Sequence, residues 1–303
     1  MEFLRHPPPA AEPRFWDYAP GQRLAWNEFG DPDGAPVMYY HGWPSSRLQA
    51  RLTHHLASDR ALRIVAMDRP GMGKSTYLPG RRLDVWPEMM EGFADSLGIG
   101  RFGQLGVSGG SPYVLACAAK IPHRLTKSAV LAGAVPLGEC RLHGLHPLYR
   151  ILIFLRNRMP RAAFSAVFRL AELATRLNPA RPPMSWLLRS VSGEDRRVLL
   201  ANPDLWAVIV KSFQAGVHDA RGRGVMGDAN IYFERLNFDF QDISHPIRYW
   251  HGADDRNIPL ELVQEFVGRI PHAQLEIVDD LGHFSLVIHR ASAALDYLAE
   301  VPG

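Results

Sequence analysis

A serine flanked by glycines stands where an apolar run typical of a strand gives way to an alanine-rich segment typical of a helix. The run FGQLGV ends at Val107, GVSGG occupies 106–110, and PYVLACAAKI follows at 112–121. A Gly-x-Ser-x-Gly turn at such a junction strains the serine backbone and projects the hydroxyl above the sheet. Gly106 and Gly110 fit this interpretation because a side chain would collide in so tight a turn. A flexible loop has a similar composition, so Ser108 needs partners elsewhere.

A serine hydroxyl becomes a good nucleophile when a base removes its proton, and that base is usually a histidine oriented by a carboxylate. Where such a turn sits in a parallel sheet, the chain order is serine, then acid, then histidine. IRYWHG at 247–252 is followed by Asp254 and Asp255, and QLEIVDD leads to His283. The order Ser108, aspartate, His283 is therefore present. Because the two aspartates are adjacent, the residues alone leave the acid open.

Elements able to position these residues alternate along both ends of the chain. Strands are predicted at 37–42, 63–68, 102–107, 127–133, 247–252 and 274–280, and helices at 48–59, 87–98, 112–121, 260–270 and 284–300. The alternation predicts an α/β fold with a mostly parallel central sheet flanked by helices. Ligands of such sheets gather at the carboxyl ends of the strands, where Ser108 falls.

The middle of the chain shows helical stretches and no clear strand. These stretches break at 178–183, 202–204 and 222–224, where proline, glycine and asparagine concentrate. We therefore predict an α/β core formed by 1–136 and 243–303, with an inserted helical cap at 137–242.

Five segments resemble the α/β-hydrolase fold superfamily over nearly the whole chain outside this insert. They are FGDPDGAPVMYYHGWPSS, AMDRPGMGKS, FGQLGVSGGSPY, WHGADDRNIP and LGHFS, all in the family's order. The resemblance implies that Ser108 is the nucleophile and His283 the base. It favours Asp255 as the acid, three positions after the glycine that ends its strand.

The same resemblance implies an oxyanion hole beside Ser108. The loop that contains His41 and Gly42 would supply one donor, the backbone amide of Trp43, and the second donor would be the amide of Gly109. The insert would form a cap that roofs the site.

The function that follows from the resemblance is a serine hydrolase that cleaves a carboxylic ester of small to medium apolar size through an acyl-enzyme. No cofactor and no metal are expected. Dehalogenase and epoxide hydrolase chemistry is disfavoured, because those relatives carry aspartate where Ser108 stands. Thioesterase, lactonase, amidase and carbon–carbon bond hydrolase remain open, as does a slow receptor-like protein that binds a ligand under its cap.

Composition indicates neither a nucleic-acid partner nor a membrane span, and the expected partner is a small-molecule substrate. The formal net charge of +3, from 34 basic and 31 acidic residues without a basic run, does not indicate nucleic-acid binding. The apolar run ILIFL at 151–155 is far shorter than the roughly 20 residues of a membrane span. With two cysteines and no leader-like N-terminus, we expect a cytoplasmic protein that is a monomer or a homodimer.

Several other patterns suggest chemistry that their context disfavours. PGMGKS at 70–75 lacks the glycine that a nucleotide-binding loop places five positions before its Gly-Lys, since Asp68 stands there. The neighbours His54 and His55 make a poor metal pair, and the pair at 143 and 146 has no evident third ligand. Cys117 fits a small buried residue better than a nucleophile. Several aromatic side chains of the insert could line a pocket or simply pack: Phe154, Phe164, Phe168, Trp186 and Trp206.

Overall fold

A sheet of eight strands forms the centre of the protein, seen in a computed structural model that describes residues 6–138, 151, 154, 158, 161–182, 184–218, 222–236 and 238–300. Its spatial order is β1-β2-β4-β3-β5-β6-β7-β8. β2 runs antiparallel to both of its neighbours, and every other pairing is parallel. The strands are β1 Arg14–Ala19, β2 Gln22–Gly30, β3 Ala35–Tyr40, β4 Leu62–Met67, β5 Phe102–Val107, β6 Leu125–Leu131, β7 Ile247–Gly252 and β8 Ala273–Val278. The predicted α/β class with a mostly parallel sheet is confirmed.

Ten α-helices are found in the described residues. They are α1 His54–Ser58, α2 Val85–Ser96, α3 Ser111–Lys120, α4 Arg161–Ala174, α5 Met184–Leu187, α6 Gly193–Ala201, α7 Pro203–His218, α8 Arg223–Phe233, α9 Leu260–Val267 and α10 His283–Ala299. Helices α2, α3 and α9 pack with one face of the sheet, and α1 and α10 with the other. Alternating strand residues supply both layers: Met38 and Tyr40 of β3 face the first, and Val37 and Tyr39 the second.

Helices α4 to α8 all lie between β6 and β7, within the segment 137–242, which we call the insert. Phe154 and Trp186 are largely exposed, whereas Phe168 is buried and its ring contacts that of Trp43. Trp206 is partly buried against a small apolar cluster that four leucine and valine residues of the insert form with Ile288 of α10. The side chain of Phe164, the second cysteine, Cys140, and the histidine pair His143 and His146 fall outside the described residues. In the part of the chain that the structure describes, no helix has the length and apolar character needed to cross a membrane.

The first two strands were not predicted from the sequence. RFWDYA and QRLAWNEFG form an antiparallel hairpin at one edge of the sheet, joined by a turn at 20–21. β1 alternates exposed and half-buried side chains, which is typical of an edge strand and gives a weak apolar signal. The helix predicted at 48–59 is also different, because a 3₁₀ helix, Arg47–Thr53, precedes the short α1.

A buried ion pair fixes the loop after β3 to the loop after β4. The Asp68 carboxylate is fully buried and pairs with the guanidinium of Arg47. It also accepts hydrogen bonds from the amides of Arg47 at 2.7 Å and Lys74 at 3.0 Å, while Arg47 Nε donates to Asn27 Oδ1 at 2.6 Å. The segment PGMGKS therefore folds as a turn around Asp68.

Replacing Arg47 with methionine should destabilise the fold, because it leaves the Asp68 carboxylate buried without its cation. We expect the free energy of unfolding in a urea titration to fall by about 3–5 kcal/mol. Arg82→Met is the matched control, because Arg82 is exposed and its ion pair with Asp84, at 3.4 Å, is open to solvent. Such an exposed pair contributes less than about 1 kcal/mol. Equal losses for both variants would contradict this account of the buried pair.

Candidate active site

Ser108 lies at the carboxyl end of β5, immediately before α3, in a left-handed backbone conformation with φ 50°. Such a conformation is strained for a residue with a side chain and marks a serine exposed on a tight turn. The turn leaves no room beside it: a Cβ on Gly106 would lie 2.7 Å from Val114 Cγ2, and one on Gly110 would collide with the Tyr40 carbonyl. Close packing therefore leaves no space for a side chain at either glycine.

A continuous chain of hydrogen bonds joins Ser108, His283 and Asp255. The distance from Ser108 Oγ to His283 Nε2 is 2.9 Å, and that from His283 Nδ1 to Asp255 Oδ2 is 2.7 Å. In the neutral tautomer that fits both contacts, Nδ1–H donates to the carboxylate and Nε2 accepts from the serine hydroxyl. The structure thus brings together the three residues predicted from strand order.

The loop after β7 distinguishes the two adjacent aspartates. Asp255 is buried, and its Oδ1 accepts hydrogen bonds from the amides of Asn257 at 2.7 Å and Ile258 at 2.9 Å. Asp254 is exposed, and its amide donates to the Leu281 carbonyl at 2.9 Å. His251 lies buried at the end of β7, where Nε2–H donates to the Ile258 carbonyl at 2.9 Å. His251 therefore supports the loop that carries Asp255.

Within this hydrogen-bond chain, the charges of His283 and Asp255 oppose the effect of burial on each other's pKa. Burial alone would raise the pKa of Asp255, but the charge and hydrogen bond of His283 hold that pKa below its ordinary 3.8. Burial alone would lower the pKa of His283, but the charge and hydrogen bond of Asp255, with the charge of Asp195, raise it above 6.5. Because only neutral His283 can accept a proton, the base is lost as the pH falls through this raised pKa.

Trp43 and Gly109 lie against one another beside Ser108. A Cβ built on Gly109 would lie 3.0 Å from the Trp43 nitrogen and 2.5 Å from the hydroxyl oxygen of Tyr232. Tyr232, on α8, donates that hydroxyl to the Gly109 carbonyl at 2.8 Å. Trp43 Nε1 donates to the Val225 carbonyl, also on α8, at 2.9 Å. The insert therefore fixes both residues whose amides were predicted to form the oxyanion hole.

Arg69 holds the backbone of the loop that leads into Trp43. Its guanidinium donates to the carbonyls of His41 and Gly42, the latter at 2.9 Å. Burial, reinforced by the charge of Arg69, keeps the pKa of His41 well below its usual value. Neutral His41 donates Nδ1–H to the Gly42 carbonyl at 2.8 Å. His41 and Gly42 thus shape the loop, and a Cβ on Gly42 would lie 3.6 Å from Ser108 Cβ.

A buried cluster that the sequence did not indicate connects Arg69 to the insert. Asp228 of α8 pairs with Arg69 at 2.6 Å and with Arg81, and accepts from Tyr113 Oη at 2.7 Å. Burial alone would raise the pKa of Asp228, but the two arginines lower it to about 2. Arg69 was within reach of sequence analysis, since it stands in the segment AMDRPGMGKS. Asp228 had no signal, because it lies 159 positions after Arg69 and 147 after Arg81, and no local pattern links residues so far apart.

The other candidate nucleophile and the candidate metal ligands of the sequence make contacts typical of structural residues. Burial raises the pKa of Cys117 to about 12, so this side chain stays a thiol. His54 Nδ1 accepts from the Gly30 amide at 2.9 Å, and His55 contacts the carbonyl of His6. Within the described ranges, no three His, Cys, Asp or Glu side chains gather as a metal ion would require.

The raised pKa of His283 should depend on Asp255 and not on its neighbour. An NMR titration of the imidazole should give a pKa above 6.5 in the wild type. Asp255→Asn removes the opposing charge and should lower this pKa by about one unit or more. Asp254→Asn is the matched control and should leave it unchanged, since that side chain points to solvent. A larger shift in the control would assign the acid to Asp254.

The chain is similar over most of its length to several known proteins. The chain is 26% identical over 276 residues to a 2-hydroxy-6-oxononadienedioate/2-hydroxy-6-oxononatrienedioate hydrolase of Burkholderia vietnamiensis, covering 87% of this chain and 85% of that protein. It is 25% identical over 292 residues to a non-heme chloroperoxidase of Streptomyces lividans, covering 93% and 96%. The solved enol-lactonase of Burkholderia xenovorans LB400 superposes with a TM-score of 0.65 at 18% identity, covering 94% and 97%, and so shares the fold.

The family relationship covers most of the chain. A family model described as the alpha/beta hydrolase fold matches residues 35–289, from the start of β3 into α10. This range includes the serine turn, the loop after β7 and the histidine. The chain belongs to the alpha/beta hydrolase fold family.

Proposed function

We propose that this protein is a serine hydrolase that cleaves carboxylic esters through an acyl-enzyme, with Ser108, His283 and Asp255 as its catalytic residues. The observation that carries the proposal is the unbroken hydrogen-bond chain from Ser108 Oγ through His283 to a buried, doubly anchored carboxylate. Membership of a hydrolase family and the strained position of Ser108 support it.

In the first half of the proposed reaction, Ser108 Oγ attacks the acyl carbon while its proton passes to His283 Nε2. Asp255 stabilises the resulting imidazolium through the hydrogen bond to Nδ1. The amides of Trp43 and Gly109 donate to the oxyanion that forms on the carbonyl oxygen. Collapse of this intermediate breaks the ester bond, and the departing alcohol takes the proton from His283.

In the second half, water replaces the alcohol. His283 removes a proton from the water as its oxygen attacks the acyl carbon of the acyl-enzyme. The second tetrahedral intermediate is held by the same two amides and collapses to release the carboxylic acid. Ser108 recovers its proton from His283, so the cycle needs no cofactor or metal.

The insert is the proposed cap, and its inner aromatic side chains favour a small to medium apolar substrate. Phe168 and Tyr232 both contact the ring of Trp43 edge-on, so the loop beside Ser108 is covered by apolar surface from the insert. An acyl or alcohol group that binds here would be desolvated against aromatic rings.

Hydrolysis of a carbon–carbon bond next to a carbonyl is a second candidate, favoured by one relative. The 26% identical Burkholderia vietnamiensis protein, matched over most of both chains, is named as a hydrolase of 2-hydroxy-6-oxononadienedioate. The two functions are separated by substrate: turnover of that dienedioate with little turnover of simple esters would favour the second. Slow single turnover of both, with tight product binding, would instead favour a receptor-like protein.

Replacing Ser108 with alanine should abolish ester hydrolysis while leaving the fold intact. We expect turnover of p-nitrophenyl acyl esters to fall by on the order of 10⁶, as when a serine hydrolase loses its nucleophile. Comparing acyl chains of increasing length in the wild type would measure the size of the site. A variant that keeps wild-type turnover would contradict the proposed nucleophile.

Adding a methyl group at position 109 should disturb the oxyanion hole, because the new Cβ would lie 2.6 Å from Trp43 Cβ and 2.5 Å from the Tyr232 hydroxyl. If Gly109→Ala misplaces one amide donor, kcat should fall by roughly 10²–10³. Gly100→Ala is the control, since a Cβ there meets nothing within 4 Å. Equal kcat in both variants would argue against this place for the oxyanion.

A further inference from the structure

A second carboxylate reaches His283 from the insert. Asp195 of α6 is buried, and its Oδ2 accepts a hydrogen bond from the backbone amide of His283 at 2.9 Å. Its Oδ1 accepts from the amides of Phe284 at 2.9 Å and Ser285 at 2.8 Å, and from the Ser285 hydroxyl at 2.8 Å. One side chain thus satisfies the first three amides of α10, the helix that begins at the histidine.

The residue before this helix cannot supply such a cap itself. Gly282 occupies the position where a serine, threonine or aspartate usually accepts from the first turn, and it has no side chain. A Cβ on Gly282 would collide with Ser192 Oγ and with the Asp195 carboxylate. The space that a capping side chain would occupy is therefore filled by Asp195, which lies 88 positions before His283 in the chain.

The backbone of Asp195 is itself anchored at the start of α6. The Ser192 hydroxyl accepts from the Asp195 amide at 3.1 Å and caps the start of α6. Among the ion pairs found in the described residues, none involves Asp195. Its negative charge therefore faces the positive end of the α10 dipole and the His283 imidazole.

From this geometry we infer that Asp195 is a positioning residue for His283. It anchors the backbone from which the imidazole projects, and its charge adds to that of Asp255 in favouring the imidazolium. The inference rests on the proposed role of His283 as base. It makes the insert part of the acid–base machinery, since the base is aligned by a residue outside the α/β core.

Among the described residues, three titratable side chains act on His283: Asp255 in the loop after β7, His251 at the end of that strand, and Asp195 on the insert. Burial lowers the pKa of His251 below its ordinary value, so this ring takes up its proton at a lower pH than His283 does. Of the charges around the imidazole, Asp195 and Asp255 both act to raise its pKa. Removing either charge should lower the pKa, and Asp195 acts through space because it makes no bond to the ring.

The test is an NMR titration of His283 in Asp195→Asn, which keeps the side-chain shape and removes the charge. We expect the pKa of His283 to fall below its wild-type value. Glu194→Gln is the matched control: it removes the same charge one residue away, where the carboxylate contacts Arg197 and His289. An unchanged pKa in Asp195→Asn, or an equal fall in the control, would overturn the inference.

The second readout is the rate at which a fluorophosphonate labels Ser108 as a function of pH, which needs no knowledge of the substrate. For Asp195→Asn we expect the limiting rate to fall by roughly 10-fold to 100-fold, as for a misplaced catalytic group. The acid limb should move to lower pH together with the pKa. A slower rate with an unmoved acid limb would count against the inference, because loss of folded structure alone produces that pattern.

Ser285→Ala carries the test if Asp195→Asn does not fold. It removes one of the four donors to Asp195 and keeps the charge, so labelling should slow by roughly 2-fold to 10-fold, equivalent to one hydrogen bond. The acid limb should stay in place because the Asp195 charge remains, and a thermal melt equal to that of the wild type separates this slower rate from loss of folded structure. A wild-type rate would overturn the inference. If wild-type Ser108 is not labelled, the proposed function fails, and the titration of His283 still decides the role of Asp195.

Discussion

A carboxylate that is removed from water must be surrounded by hydrogen-bond donors or cations. The site of this protein depends on four buried carboxylates that meet this requirement. Asp68, Asp195, Asp228 and Asp255 are all buried. Each joins segments that are distant in sequence, because donors from one segment alone are too few to offset the loss of hydration. The loops that carry Ser108, Trp43 and the histidine are thereby tied to the sheet and to one another.

The insert takes part in two of these connections. Asp228 and Tyr232 of α8 reach Arg69 and the Gly109 carbonyl. Asp195 of α6 accepts hydrogen bonds from the first amides of α10. The helices of the insert therefore contact both the proposed oxyanion donors and the proposed base. Sequence changes in these helices can alter reactivity as well as the shape of the substrate site.

The charges around the site are separated in the direction that the proposed reaction needs. Near the loop before Trp43, the two cations Arg69 and Arg81 both pair with Asp228, and among the described residues this cluster holds one more cation than anions. Near His283, Asp255 and Asp195 provide negative charge. The tetrahedral intermediate has an oxyanion on the first side and an imidazolium on the second. Fixed charges arranged before the reaction stabilise such a state without reorganisation.

The sequence by itself determined the α/β class, most inner strands, and the order of Ser108, the aspartate pair and His283, because periodicity and turn residues are local signals. It missed the β1–β2 hairpin, whose edge strand buries too little apolar surface to be recognised. Only the tertiary structure decided which of the two aspartates contacts the histidine. Asp255 does so, because it is buried and held by the amides of the loop after β7. The tertiary structure also showed Asp195 and Asp228, whose roles arise from contacts between residues far apart in the chain. No local pattern specifies which buried carboxylate meets which donor, because that depends on how the insert packs on the core.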